Sequence, residues 1–119
     1  MIARRLNPRA LRAAWWANRS LTRARRSLVK GELDAVRLSP PPRLPDSAEY
    51  AVHAVLRRQS ATCLERSLVL QRWHAARGRK LDVVIGVRAP VSDFAAHAWL
   101  DGEPAPTGMK FDELLRLTP

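Results

Sequence analysis

Near the start of the chain Leu11, Ala14, Trp15, Leu21, Ala24 and Leu28 recur at helical spacing, with Arg9, Arg12, Arg19, Arg23 and Arg26 mostly between them. Pro8 suits the first turn of such a helix and Gly31 its end. The pattern predicts an amphipathic helix over 8–30, with that apolar stripe as its packing face. Residues 39–45, SPPPRLP, hold four prolines and predict an extended linker. Asp46 and Glu49 then have capping-box spacing, and Ala48, Ala51, Val52 and Val55 follow at helical period to a predicted end near Arg58. Thr62-Cys63-Leu64-Glu65 is a fuller capping box, and it starts a helix that runs towards Arg77 with Gly78 as its C′ residue.

Beyond Gly78 the period changes. Leu81 to Val87 is a short apolar run, which predicts a buried strand. Phe94 to Leu100 predicts a second strand, with Ala95, His97 and Trp99 on one face and Phe94, Ala96, Ala98 and Leu100 on the other. Asp101-Gly102 is a hairpin signal and predicts a third strand folded back beside the second. Helices followed by an antiparallel meander make an α+β chain. The expected organisation is a basic helical arm (1–38), the proline-rich linker (39–45) and a folded domain (46–119).

Composition adds limits. At 119 residues, with 46% hydrophobic and 27% charged positions, the chain has the make-up of one soluble globular domain. No run of 18 apolar residues is present, so no bilayer span is expected. The opening segment MIARRLNPRALRAAWW has no continuous apolar region and no small-residue cleavage site, so no secretory signal is expected. Its acid-free, Arg-rich character overlaps that of transit peptides, but it also reads well as a structural helix. A single cysteine excludes an internal disulfide framework.

The net charge of +10 is unevenly placed. Residues 1–45 hold eleven cations and two anions, whereas residues 46–119 hold ten and nine. Basicity therefore belongs to the arm. Such an arm suits nucleic acid, an anionic membrane surface or an acidic protein, or is simply a solvated helix face.

Cys63 is the residue on which chemistry centres. The capping box puts it at the first position of a helix, where backbone N–H groups and the helix dipole favour negative charge. The same N–H groups suit a developing oxyanion. The bland alternative is a small buried hydrophobe. A thiol nucleophile needs a base. His74 lies eleven positions further along the same helix, about 16 Å away at 1.5 Å per residue, and cannot serve Cys63. His53 is expected to face solvent or a helix neighbour. His97 is flanked by small alanines that leave room for approach, although a half-buried strand histidine with a satisfied hydrogen bond fits the same pattern. One cysteine and three scattered histidines have no zinc-ligand spacing.

Three motifs agree on a family. ATCLERSLVL at 61–70, LDVVIGVR at 81–88 after Gly78, and FAAHAW at 94–99 closely resemble the lasso-peptide leader peptidases, which are transglutaminase-like members of the papain-like cysteine-protease superfamily. The resemblance covers residues 46–104. It implies a cysteine peptidase, without cofactor or metal, that removes the leader from a ribosomally made precursor in the cytoplasm. An ATP-dependent macrocyclase then closes the ring, and in split systems a separate recognition protein binds the leader. Carried over by residue, Cys63 is the nucleophile and His97 the general base and then acid. Arg66 and Arg88 fall in the motifs and are expected to position other groups, and Trp99 to fill core or wall the cleft.

The third member departs from the family's pattern, which places an acid about a dozen residues after the histidine. With a turn at Asp101-Gly102, positions near Pro106 to Gly108 should face His97, and none carries a carboxylate. Asp101, four strand residues away at roughly 13 Å, is too far. Asp112 is the tentative orienter, with Thr107 or a backbone carbonyl as alternatives. A second functional class stands beside the peptidase: a catalytically weak or inactive transglutaminase-like interaction protein whose basic arm binds a protein or nucleic-acid partner.

Overall fold

The computed structural model describes residues 7–31, 37–88, 95–103 and 112–119. Along them run helix α1 (Pro8–Val29), a 3-10 turn (Asp46–Ala48), α2 (Glu49–Arg58), α3 (Cys63–Ala75), and strands β1 (Val83–Arg88), β2 (Ala95–Leu100) and β3 (Asp112–Leu117). Helices first and an antiparallel sheet last give the α+β architecture read from the sequence. The chain divides into two compact units, Met1–Ala61 and Thr62–Pro119. The division falls after α2 rather than in the proline-rich segment, because α2 packs against α1.

In the first unit the Asn7 side chain caps α1 by accepting a hydrogen bond from the Arg9 amide at 3.0 Å. Pro8 sits in the first turn, where its missing N–H costs nothing, and Gly31 takes a left-handed conformation (φ +72°) just past the end. The buried face differs from the expected stripe. It is made by Ala10, Ala13, Trp16, Ala17, Ser20, Leu21 and Ala24, whereas Leu11 and Trp15 are 55% and 63% exposed. The reason is steric. Ala13, Ala17 and Ala24 have no exposure at all, and a row of alanines lets α2 approach closely with Ala51, Val52 and Leu56.

Trp16, not Trp15, turns inward, and its Nε1 donates to the Ser39 carbonyl at 2.9 Å, tying the proline-rich segment to α1. The Arg25 guanidinium donates to the Gln59 carbonyl at 2.6 Å beyond the end of α2. That helix is entered through the 3-10 turn, and its N-cap residue is Ala48, without a side-chain cap, rather than the expected Asp46. Glu49 instead meets His53 one turn on at 3.1 Å.

In the second unit α3 packs on β2 and β1. Trp73, Val69, Leu70, Val83 and Leu100 form its buried centre. Among the described residues the strand order is β2-β1-β3, and the third strand lies later in the chain than the segment after Asp101-Gly102 where one was expected. β3 pairs with β1, not with β2. The Asp101-Gly102 turn does form, with Gly102 at φ +104° and the Glu103 amide donating to the Leu100 carbonyl at 3.0 Å. The returning partner expected at 106–108 lies outside the described residues, as does Phe94. An apolar strand such as VVIGV gains most from neighbours on both edges, and β1 takes the centre.

Arg116 of β3 bridges the exposed side of the sheet, bonding Glu113 at 2.7 Å and Asp101 at 2.8 Å, with Asp82 at 3.4 Å. The bonds to Glu113 and then Asp101 push its pKa above the ordinary arginine value.

The packing face of α1 is tested by a pair of substitutions. Ala17→Leu should destabilise the protein by about 1–3 kcal/mol through overpacking, while Leu11→Ala should stay within about 0.5 kcal/mol. Urea denaturation of both variants gives the comparison, and equal losses would place the buried face elsewhere.

Candidate active site

Helix α3 starts where the capping box said it would. The Thr62 hydroxyl accepts from the Glu65 amide at 3.2 Å, and the Glu65 carboxylate accepts from the Thr62 amide at 3.0 Å. With both ends of the box closed, Cys63 is the first helical residue, and it is exposed. The helix ends near Gly78, which is left-handed at φ +80°.

Three contacts locate this helix on the sheet. Buried Gln71 donates from Nε2 to the carbonyls of Leu81 at 2.9 Å and Leu117 at 2.8 Å, ahead of β1 and at the end of β3. Arg66 meets Glu103 at 3.4 Å, and the same carboxylate accepts from the Leu100 amide at 3.2 Å at the end of β2. Arg66, expected to position other groups, therefore joins α3 to the turn after β2. Arg77 stacks over Trp73 at 4.7 Å.

His97 lies mid-strand in β2, paired across β1 with Gly86. Ala98 and Leu100 are buried, while His97 and Trp99 are half-buried on the other side of the strand, as the alternation predicted. Cys63 and His97 thus stand on a helix and a strand that pack together within one compact unit. No hydrogen bond joins the two among the described residues. The other histidines stay apart from this pair in role: His53 is bound to Glu49, and His74 is in the last turn of α3.

Asp112 opens β3 and pairs with Val87, in the row of Ala96 rather than that of His97. Its side chain, and that of Arg88, lie outside the described residues, as does Thr107. A register shift between Ile85 and Gly86 brings Glu113 opposite Gly86, and so into the row of His97. Two strand spacings separate them, roughly 10 Å between Cα atoms. Gly86 between them carries no side chain. Sequence reasoning passed over Glu113, because the bulge that sets its row is not visible in the pattern. Its carboxylate bonds Arg116 at 2.7 Å.

Ser67 is a second residue that sequence reasoning passed over. It lies one turn after Cys63, is fully buried, and its Oγ has no hydrogen-bond partner among the described residues. Among the described residues no three His, Cys, Asp or Glu side chains gather as a metal-binding group.

A capped cysteine helix packed on an antiparallel sheet that carries a histidine suits nucleophilic acyl chemistry. The sequence model of the Transglutaminase-like superfamily matches residues 4–117, nearly the whole chain. The protein belongs to that superfamily. No curated protein and no solved structure matches the chain.

Two variants separate the roles of the helix start. Thr62→Ala should cost about 1 kcal/mol by removing the cap. Ser67→Ala removes a buried hydroxyl without a partner and should leave stability unchanged or raise it by up to about 1 kcal/mol. Thermal denaturation reads both, and a Ser67→Ala loss of similar size to the cap would show that the hydroxyl is bonded in solution.

Proposed function

We propose that this protein is a cysteine peptidase that removes the leader from a ribosomally made lasso-peptide precursor before macrocyclisation. The observation that carries the reading is Cys63, exposed at the capped start of a helix that packs on the His97 strand, in a chain of the Transglutaminase-like superfamily. The motif resemblance at 61–70, 81–88 and 94–99 supplies the substrate class.

In this mechanism His97 takes the Cys63 proton as the sulfur adds to the scissile carbonyl. The backbone N–H groups at the start of α3 stabilise the oxyanion. Collapse breaks the C–N bond, and His97 gives its proton to the departing amine. Water, deprotonated by His97, then hydrolyses the thioester and frees the leader. Asp112 is the proposed orienter of the imidazole. No cofactor takes part in any of these steps.

The proposed partners are the precursor, a separate leader-binding protein and the ATP-dependent macrocyclase, with the cytoplasm as the compartment. Among the described residues no helix is long and apolar enough to cross a membrane. The competing reading is an inactive interaction protein of the same superfamily. The exposure of Cys63 favours the peptidase, since a purely structural cysteine is more often buried.

Cys63→Ala and His97→Ala should each abolish precursor cleavage, followed by mass spectrometry, while circular dichroism stays unchanged. Asp112→Ala should slow turnover about ten-fold or more if that carboxylate holds the imidazole. A Cys63→Ala protein that still cuts at the native rate would end the peptidase reading. So would a Cys63 that resists iodoacetamide in the native protein at neutral pH.

A leader-binding protein should raise the cleavage rate by concentrating precursor near Cys63. Rate measured against partner concentration tests this, and full activity on intact precursor without any partner would remove the need for one.

A further inference from the structure

The first unit holds a feature that the peptidase reading does not use. A groove of about 600 Å³ runs between α1 and the proline-rich segment, walled by Trp15 and Trp16 on one side and Pro40 and Pro42 on the other. Arg12, Arg19, Arg23 and Arg26 line it, and among the described residues no acidic side chain does. None of these four arginines has a carboxylate partner among the described residues. Arg19 lies over the Trp15 ring at 4.8 Å, and Arg23 reaches the Ser39 hydroxyl at 3.5 Å. Four guanidinium groups on one stripe repel each other, and an anion seated among them relieves that repulsion.

We propose that this groove binds an acidic, extended segment of a partner protein. Length supports a chain-like occupant. Arg12 and Arg26 are fourteen residues apart on the helix, about 21 Å at 1.5 Å per residue. An extended peptide of six or seven residues covers the same span. Guanidinium groups pair carboxylates through two parallel hydrogen bonds, so such a peptide is held along its length.

A nucleic acid fits less well. Base stacking needs free aromatic faces. Arg19 covers one face of Trp15, and Trp16 is 5% exposed with its Nε1 bonded to Ser39. A flat anionic membrane cannot enter a groove that the prolines wall on one side. The inference stands apart from the peptidase reading, because binding is read without any cleavage.

The test is fluorescence anisotropy of the full-length protein with a fluorescein-labelled octapeptide of glutamates. The native protein should bind it, more weakly as salt rises. Arg19→Glu/Arg23→Glu should weaken binding about ten-fold or more. Arg57→Glu/Arg58→Glu, which makes the same net-charge change at exposed α2 positions that do not line the groove, should weaken it no more than about two-fold. Arg12→Gln/Arg26→Gln provides a second groove variant should the reversal prevent folding, and it should also weaken binding.

Equal losses in the groove and control pairs would reduce the effect to net charge and overturn the proposal. Absence of peptide binding at low salt would overturn it as well. A single-stranded oligothymidylate of equal charge, or anionic vesicles, bound more tightly than the peptide and lost in the same groove variants would assign the groove to that class instead.

Discussion

Two hydrogen bonds between Thr62 and Glu65 fix where helix α3 begins, and the place of the chain's single cysteine follows from them. Each bond satisfies an amide that the first helical turn would otherwise leave open. Without them the first turn could fray, and a nucleophile on a frayed turn has neither a fixed position nor aligned N–H groups behind it. The remainder of the helix is held independently. Gln71 ties its middle to the segment ahead of β1 and to the end of β3, and Arg66 ties its second turn to the Leu100–Glu103 turn through Glu103. The cap sets the start of the helix and these contacts set its place on the sheet. The proposed pairing of Cys63 with His97 on β2 depends on both.

How well the sequence spoke depended on whether a feature is local. Pro8, Gly31, Thr62 and Gly78 mark helix ends because each acts within one turn, and all four sit where that chemistry needs them. The face of α1 is not local. Trp15 and Trp16 both look like packing residues, and the choice between them rests on whether alanines or bulky side chains meet α2. The alanine row wins, because close approach buries more of both helices than a Leu11–Trp15 contact would.

Strand order is less local still. The Asp101-Gly102 signal correctly gives a turn, but a turn says only that the chain bends, not where a strand that begins at Asp112 is added. The run VVIGV carries the missing information. A strand that is apolar at successive positions belongs between two neighbours, and reading it as central would have sent β3 to β1. The family resemblance behaved in the same graded way. It predicted the superfamily, which the match over residues 4–117 shows, while the narrower activity depends on substrate contacts that no local pattern encodes.

The sheet order bears directly on the third member of the proposed triad. In a meander, β3 would lie beside β2, and an acid on it could reach His97 across one strand spacing. With β1 between them, any carboxylate on β3 must reach across two. Gly86 lowers that barrier in one row, since the residue between His97 and Glu113 adds no side chain to cross. Glu113, however, gives an oxygen to Arg116, which also holds Asp101. An acid engaged this way keeps its second oxygen for a further bond, but its position is set by the arginine. Asp112 stands one row away. A carboxylate orienter on β3 would therefore be either shared or offset, so under the proposed mechanism the orientation of the His97 imidazole leans more on the packing around β2 than in a sheet where the acid is the histidine's immediate neighbour.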